Sequence, residues 1–205
     1  MSEQTRAHWR DVWADTAPDE VSWFQPEPAV SLALIAGLDL SKAARIVDVG
    51  GGASRLVDRL LDDGYSNVTV LDIAEPALAR ARERLGDRAD GVDWLVGDVL
   101  EAEFEPGIDL WHDRAVFHFL TDAEDRARYA ERLDQLLSPE GTAIVATFSP
   151  EGPERCSGLP VRRYDAEALS AELGESFRLV HERREAHETP WGDTQSFAYA
   201  VLERA

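Results

Sequence analysis

Four short stretches place acids, glycines and a histidine where chemistry could gather. They are "VDVGGGAS" with Asp48, Gly50, Gly51 and Gly52; "VLDI" with Asp72; "VGDV" with Asp98; and "DLWHDR" with His112 and Asp113. A glycine turn after an apolar run lets a ligand approach the backbone closely, and a phosphate is its usual guest. The flanking residues speak against one here. No lysine follows the glycines, so the turn is not a P-loop. Arg55 takes the third small position of a dinucleotide fingerprint, and Asp48 would repel a pyrophosphate.

The same residues suit a ligand with a cationic end and a ribose. An acid ending the first strand attracts an amino group, and Asp72, about twenty residues on, can accept from ribose hydroxyls. Asp98 after the third strand can accept from an adenine amine. S-adenosylmethionine (SAM) carries an amino group, a sulfonium, a ribose and an adenine, and no phosphate. The ligand's charge separates the readings.

The elements that position these groups alternate from residue 45 onward. "RIVDV" reads as a buried strand, 54–61 as a helix and "NVTVLD" as a second strand. "PALARARERL" then begins a helix at its proline. "VDWLVGD" and "IDLWHD" are the third and fourth strands, "DAEDRARYAERLDQLL" is a helix, and "GTAIVATF" is a fifth strand. After the helix "DAEALSAELG", "FRLVHERRE" and "SFAYAVLE" are spaced to pair as a hairpin. Such alternation predicts an α/β fold with a mainly parallel sheet and helices on both faces. Right-handed crossovers gather the loops after the parallel strands on one rim, where ligands of open α/β sheets bind.

The quoted motifs, taken in order over residues 43–148, resemble those of class I SAM-dependent methyltransferases. The resemblance implies a Rossmann-like, seven-stranded sheet of order 3-2-1-4-5-7-6 with strand 7 antiparallel. It implies that Asp48, Gly50 and Gly52 form the methionine-side turn, that Asp72 takes the ribose, that Ile73 packs on the adenine, and that Asp98 with Val99 reads the adenine edge. Where the family often has a further glycine this chain has Ser54, which is small and able to cap the following helix. A narrower likeness, in "HWRDVW…VSWFQPEP" and "WHDR", is to small thiopurine- and tellurite-type methyltransferases. It implies a small acceptor, often a soft atom such as sulfur, under an N-terminal aromatic lid.

Methyl transfer from a sulfonium needs alignment and exclusion of water more than a strong catalyst. Asp113 and His112 end the fourth strand: Asp113 is the candidate to steer or deprotonate the acceptor, and the His112 backbone to hold the methionine amine. His118, a turn beyond, is either a second base or a packed histidine. His187, expected in a loop between the last two strands with Trp191 and Gln195, is a candidate substrate contact. Cys156, in a long Gly/Pro-rich connection, is a packed side chain or a metalloid ligand. Trp9 and Trp13 share a helix face. Trp13 and Trp23 are expected to lie over the sulfonium, where aromatic faces attract a cation.

Composition bounds the rest. The 205 residues, 44% of them apolar, predict one domain, with 1–40 as lid and helix and 41–205 as a core bearing acceptor loops 149–164 and 186–196. A net charge of −19 argues against nucleic-acid or anionic-membrane partners. The absence of a long apolar run or signal core predicts a cytoplasmic protein, and the sequence leaves monomer and weak dimer undetermined. The five histidines show no metal-ligand spacing, so no metal is expected. Two other functions share the same core: a protein (lysine) N-methyltransferase with an open acidic groove, and a SAM- or nucleoside-binding module without catalysis.

Overall fold

The computed structural model describes residues 3–205. Helix α1 (Glu3–Asp15) and α2 (Ala29–Ala36) precede β1 (Ile46–Val49), α3 (Leu56–Asp62), β2 (Val68–Asp72), α4 (Glu75–Leu85), β3 (Val92–Val96) and β4 (Ile108–Arg114). Then come α5 (Ala123–Leu136), β5 (Leu137–Phe148), a small hairpin β6–β7 (Arg155–Cys156 and Leu159–Pro160), α6 (Ala166–Leu173), β8 (Phe177–Glu188) and β9 (Thr194–Arg204). The main sheet runs β3-β2-β1-β4-β5-β9-β8. Pairing is parallel from β3 across to β5, and β9 is antiparallel to both its neighbours. With β8 and β9 as the sixth and seventh strands, this is the expected order 3-2-1-4-5-7-6.

Two apolar cores cover the two faces, and period-2 alternation decides which residue enters which. Val47, Val49, Trp111 and Val145 face a core with Tyr129 and Leu133 of α5 and Leu169 of α6. Ile46, Leu110, Ile144 and Phe148 face the other, with Leu34 of α2, Leu60 of α3 and Leu78 of α4. Asp48, His112 and Arg114 fall in phase with the second set, and Asp113 with the first. Asp122 caps α5 by accepting from Glu124 N at 2.8 Å, and Asp165 caps α6 by accepting from Ala168 N at 2.8 Å. Ser54 Oγ accepts from Leu56 N at 3.1 Å, but the cap position of α3 is Arg55, which makes no side-chain cap bond, so Ser54 stands one residue ahead of the expected cap.

Two stretches differ from the sequence reading. β5 begins at Leu137, directly after α5, because "SPEG" continues as strand around a bulge opposite Ile108–Leu110. β8 runs on to Glu188 and β9 starts at Thr194, so the expected loop 186–196 shrinks to 189–193. Among the described residues no helix is long and apolar enough to cross a membrane.

The turn after β1 is sterically bounded. Gly50 has φ +66°, and a Cβ there would lie 2.1 Å from Val116 Cγ2. A Cβ on Gly51 would lie 2.5 Å from Asp48 Oδ2 and 2.6 Å from Val70 Cγ1. Gly51→Ala must push either a buried carboxylate or a core valine, so it should destabilise the chain by about 1–3 kcal/mol in a denaturant titration. An unchanged midpoint would show that the turn has slack the geometry does not display.

Candidate active site

The rim carries two adjoining clefts. The larger holds about 680 Å³ of empty space between the Gly50 turn, Asp72, Ile73, Gly97, Val99 and an aromatic roof. The second, about 590 Å³, is lined by Asp48, Gly50, Gly51, Ser54, Ser31 and His112. Trp13, Trp23, Val49, Gly50 and Arg114 border both.

Asp48 stands one residue before the end of β1, beneath the second cleft, and His112, its partner in register on β4, lies beside it. The His112 Nδ1–H donates to Asp48 Oδ1 at 2.8 Å, which leaves Nε2 to accept from the Ser31 hydroxyl at 2.9 Å. Asp48 Oδ2 is buried with no hydrogen-bond partner. A buried carboxylate oxygen without a donor is costly, and a ligand ammonium would satisfy it. At the end of β2, Asp72 accepts from Ala74 N at 2.8 Å through Oδ1. Burial raises its pKa to about 7; the Ala74 N–H lowers it, and the nearby Asp48 charge raises it. Gly52, at φ +46°, would place a Cβ 2.8 Å from Asp72 Oδ2, so only glycine leaves that oxygen room. The unpartnered oxygen of Asp48, the buried carboxylate of Asp72 and a glycine turn fit a cationic ligand with hydroxyl donors.

Ile73 and Val99 line the larger cleft at the position expected for a flat base. Asp98 stands one step back. Its Oδ1 accepts from Leu100 N at 3.0 Å and its Oδ2 lies 3.6 Å from Arg6 of α1, while Gly97 and Val99 form the wall.

The roof is the N-terminal segment. Trp23 meets Trp9 edge-on at 5.7 Å and Trp13 at 6.0 Å, and Trp9 meets Phe119 at 5.2 Å. Three hooks within four residues hold it down. His187 Nε2 donates to the Ser22 carbonyl at 2.7 Å, Arg114 Nη1 to the Trp23 carbonyl at 3.3 Å, and Gln25 Nε2 to Glu185 Oε1 at 2.6 Å. Cys156 joins the wall from β6, with burial pushing its thiol up to about 12. It stays protonated and packed.

Three candidate catalytic groups are placed otherwise than the sequence reading expected. Asp113 faces α5, away from the clefts, because it is out of phase with His112. Its oxygens accept from Val116 N at 2.8 Å, Phe117 N at 3.1 Å and the Tyr129 hydroxyl at 2.7 Å, so it braces the loop after β4. Burial raises its pKa to about 6, opposed by the Tyr129, Val116 and Phe117 donors. His118 is fully buried against Phe119 and Phe148, lines neither cleft, and is driven down to about 3 by burial and the Arg114 charge. It is a neutral core histidine. His187 lies near the end of β8 rather than in a loop, and its ring is spent on the lid backbone. Trp191 is 64% exposed and forms no wall. Ser31, Arg114 and Glu185 were missed by the sequence reading. Arg114 alone had a signal, since it follows His112 by one strand period in "WHDR".

Residues 47–143 match the family described as a methyltransferase domain. A 1,6-didemethyltoxoflavin-N1-methyltransferase from Burkholderia thailandensis, solved with its substrate and S-adenosylhomocysteine, superposes with a TM-score of 0.68 at 25% identity, covering 98% of this chain and 85% of that one. Over residues 47–143 the chain is a methyltransferase domain, and its fold is that of the class I SAM-dependent methyltransferases. An uncharacterized methyltransferase of Geobacillus sp. (strain WCH70) is 33% identical over 140 residues, 66% of this chain and 63% of that protein. A malonyl-[acyl-carrier protein] O-methyltransferase of Anoxybacillus flavithermus is 37% identical over 106 residues, 50% of this chain and 38% of that protein. The chain thus spans less than two thirds of the length of either relative. SAM is the cofactor that this family and the buried rim carboxylates share.

The bracing role of Asp113 is separable from cofactor binding. The Tyr129 hydroxyl donates to Asp113 and accepts from Trp111 Nε1 at 2.8 Å. Tyr129→Phe leaves Trp111 Nε1 buried and unpaired and removes one of the three donors to Asp113, and should cost about 1–3 kcal/mol of stability. Calorimetry should show SAM affinity within about twofold of wild type. A selective loss of SAM affinity with stability intact would return Asp113 to the site.

Proposed function

We propose that this protein transfers the methyl group of SAM to a small-molecule acceptor bound beneath the tryptophan lid. The observation that carries the reading is the aromatic roof: Trp9, Trp13, Trp23 and Phe119 line the larger cleft and narrow it to the size of a small molecule, where a protein-modifying enzyme would need a wide groove. The supporting neighbour from B. thailandensis was solved with a small molecule, 1,6-didemethyltoxoflavin, in place.

The bound cofactor supplies an electrophilic methyl on a sulfonium that is already a good leaving group. The chain's own residues bind and align. Asp48 Oδ2 takes the ammonium, and Asp72 accepts from the ribose hydroxyls. Ile73 and Val99 sandwich the base, and the backbone beside Gly50 admits the methionine chain. Trp13 and Trp23 offer aromatic faces to the positive sulfur and keep water out. Among the described residues none of the three candidate bases is free for an acceptor: Asp113 and His118 point elsewhere, and His187 is bound to Ser22. An acceptor therefore arrives unprotonated or gives its proton to solvent, and the rate comes from alignment. The soft-atom acceptor of thiopurine- and tellurite-type enzymes agrees with this lack of a base.

Labelled SAM incubated with cell extract should place label in the low-molecular-weight fraction. Label in protein would overturn the acceptor class, and no transfer into either fraction would favour a binding module. Trp23→Ala should lower turnover by about tenfold or more, near 1.4 kcal/mol per power of ten, with a smaller loss of SAM affinity. Wild-type kinetics in that variant would remove the lid from the mechanism.

The Asp72 carboxyl sets a pH signature. Its folded pKa, about 7, lies above the usual carboxylate value. Without ligand its contribution to stability is full in acid and is lost as pH rises toward that value. Hydroxyl donors and a sulfonium favour the charged form, so SAM binding should release a proton and tighten between about pH 5.5 and pH 7. Calorimetry in buffers of different ionisation enthalpy reads the proton directly. Asp72→Asn should abolish the release and weaken binding at least about tenfold. Proton uptake, or affinity flat across that range, would contradict the role.

A further inference from the structure

β8 is an edge strand of the main sheet, and its residues 180–184 are exposed. Three large apolar side chains are exposed among the described residues, and two of them belong to this edge. One is Val180; the other is Trp191, 64% exposed, in the turn from β8 to β9. The turn is closed: Thr189 N donates to the Asp193 carbonyl at 2.8 Å and Gly192 N to the Thr189 carbonyl at 2.9 Å. Trp191 therefore stands out from a fixed corner. Along the same edge, Ala29, Val30, Ala33 and Leu34 of α2 face His181 and Arg183 of β8 across a groove of about 590 Å³. Extended strand separates the tryptophan from the groove, so one chain cannot fill its own.

A second copy can. An edge strand carries unpaired backbone groups and can pair with an identical strand, antiparallel about a two-fold axis normal to the sheet. Residues opposite each other then share a face, so the axis must pass through a residue position. With the axis at Ala186, Arg184 lies opposite Glu188 of the other copy, and the symmetry makes that pair twice. No like charges meet. The same register brings Trp191 of the other copy opposite His181, at the groove. Neighbouring registers fail on charge. An axis at Glu185 sets Glu185 against itself and Glu182 against Glu188, one at Arg184 sets Arg184 against itself, and one at His187 brings no opposite charges together. Charge pattern and groove position select one register independently.

The counter-argument is that charges on an edge strand commonly prevent such pairing. They do so where like meets like, and at this register they do not. Arg184 also donates to Glu151 of its own chain at 2.8 Å, but that pair is exposed, with the side chains 56% and 66% accessible. A guanidinium has five N–H groups, enough for a second carboxylate.

We propose that two copies of this chain associate through β8, antiparallel about Ala186, with Trp191 of each seated in the α2 groove of the other. Glu185 and His187, which hold Gln25 and Ser22 of the lid, lie within the paired stretch. The association thus steadies the strand that anchors the lid.

Sedimentation equilibrium of the full chain reads the association, with circular dichroism to confirm that each variant is folded. Wild type should be a dimer at micromolar concentration. Trp191→Ala and Glu188→Arg should each raise the dissociation constant about tenfold or more. Arg184→Glu combined with Glu188→Arg should restore most of the wild-type association, which loss of a merely apolar contact would not do. A monomeric wild type overturns the proposal, as does a dimer indifferent to both single changes. A folded double variant that associates no better than Glu188→Arg alone overturns the register, and the proposal with it. Should one single variant fail to fold, the other decides.

Discussion

Asp48 and Asp72 stand at the rim ends of adjacent parallel strands, 2% and 8% exposed, and Asp48 Oδ2 has no donor. Desolvation penalises the charged form of Asp72, and repulsion from the neighbouring Asp48 adds to it. Groups of this kind persist in a folded chain where something offsets the desolvation. Much of the rim can be understood as accommodation of that demand. Gly51 leaves room for Asp48 and Gly52 for Asp72, and Gly50 turns the chain at a positive φ. His112 and Ser31 fix one oxygen of Asp48 and leave the other open.

The lid answers the second half of the demand, because electrostatic attraction in the cleft grows as water is excluded. Trp9, Trp13 and Trp23 interlock edge-on and are tied to the sheet at Ser22, Trp23 and Gln25. These ties come from His187, Arg114 and Glu185, on strands far from the lid in sequence. Cofactor end, sheet and roof thus meet at Arg114, the one cation that borders both clefts.

The sheet order and the cofactor rim were legible because both rest on local signals. Apolar runs alternate with helical periods, and an acid stands at or beside the rim end of each of the first three strands: Asp48, Asp72 and Asp98. What could not be read was which face a side chain takes and what it meets across the fold. Asp113 follows His112 in sequence, yet the period of the strand sends it to Tyr129 on α5. His187 looked like a loop residue because the Thr-Pro-Trp-Gly stretch signals a turn, but the ladder with β9 continues past it. Its partner, the Ser22 carbonyl, lies 165 residues away, and a backbone carbonyl leaves no mark in a side-chain pattern. The tryptophan cluster was legible through its density in a short acidic segment. The hooks that seat it were not.

Binding at the rim is the claim on which the rest stands, and titration calorimetry with SAM, S-adenosylhomocysteine, NAD and ATP tests it most directly. The two sulfur ligands should bind one per chain, and both should lose affinity when Asp48 or Asp72 is neutralised. The two phosphate ligands should give no heat of binding, because the turn offers their charge two carboxylates and no lysine. Binding of NAD or ATP at this rim, with SAM failing to bind, would contradict the account.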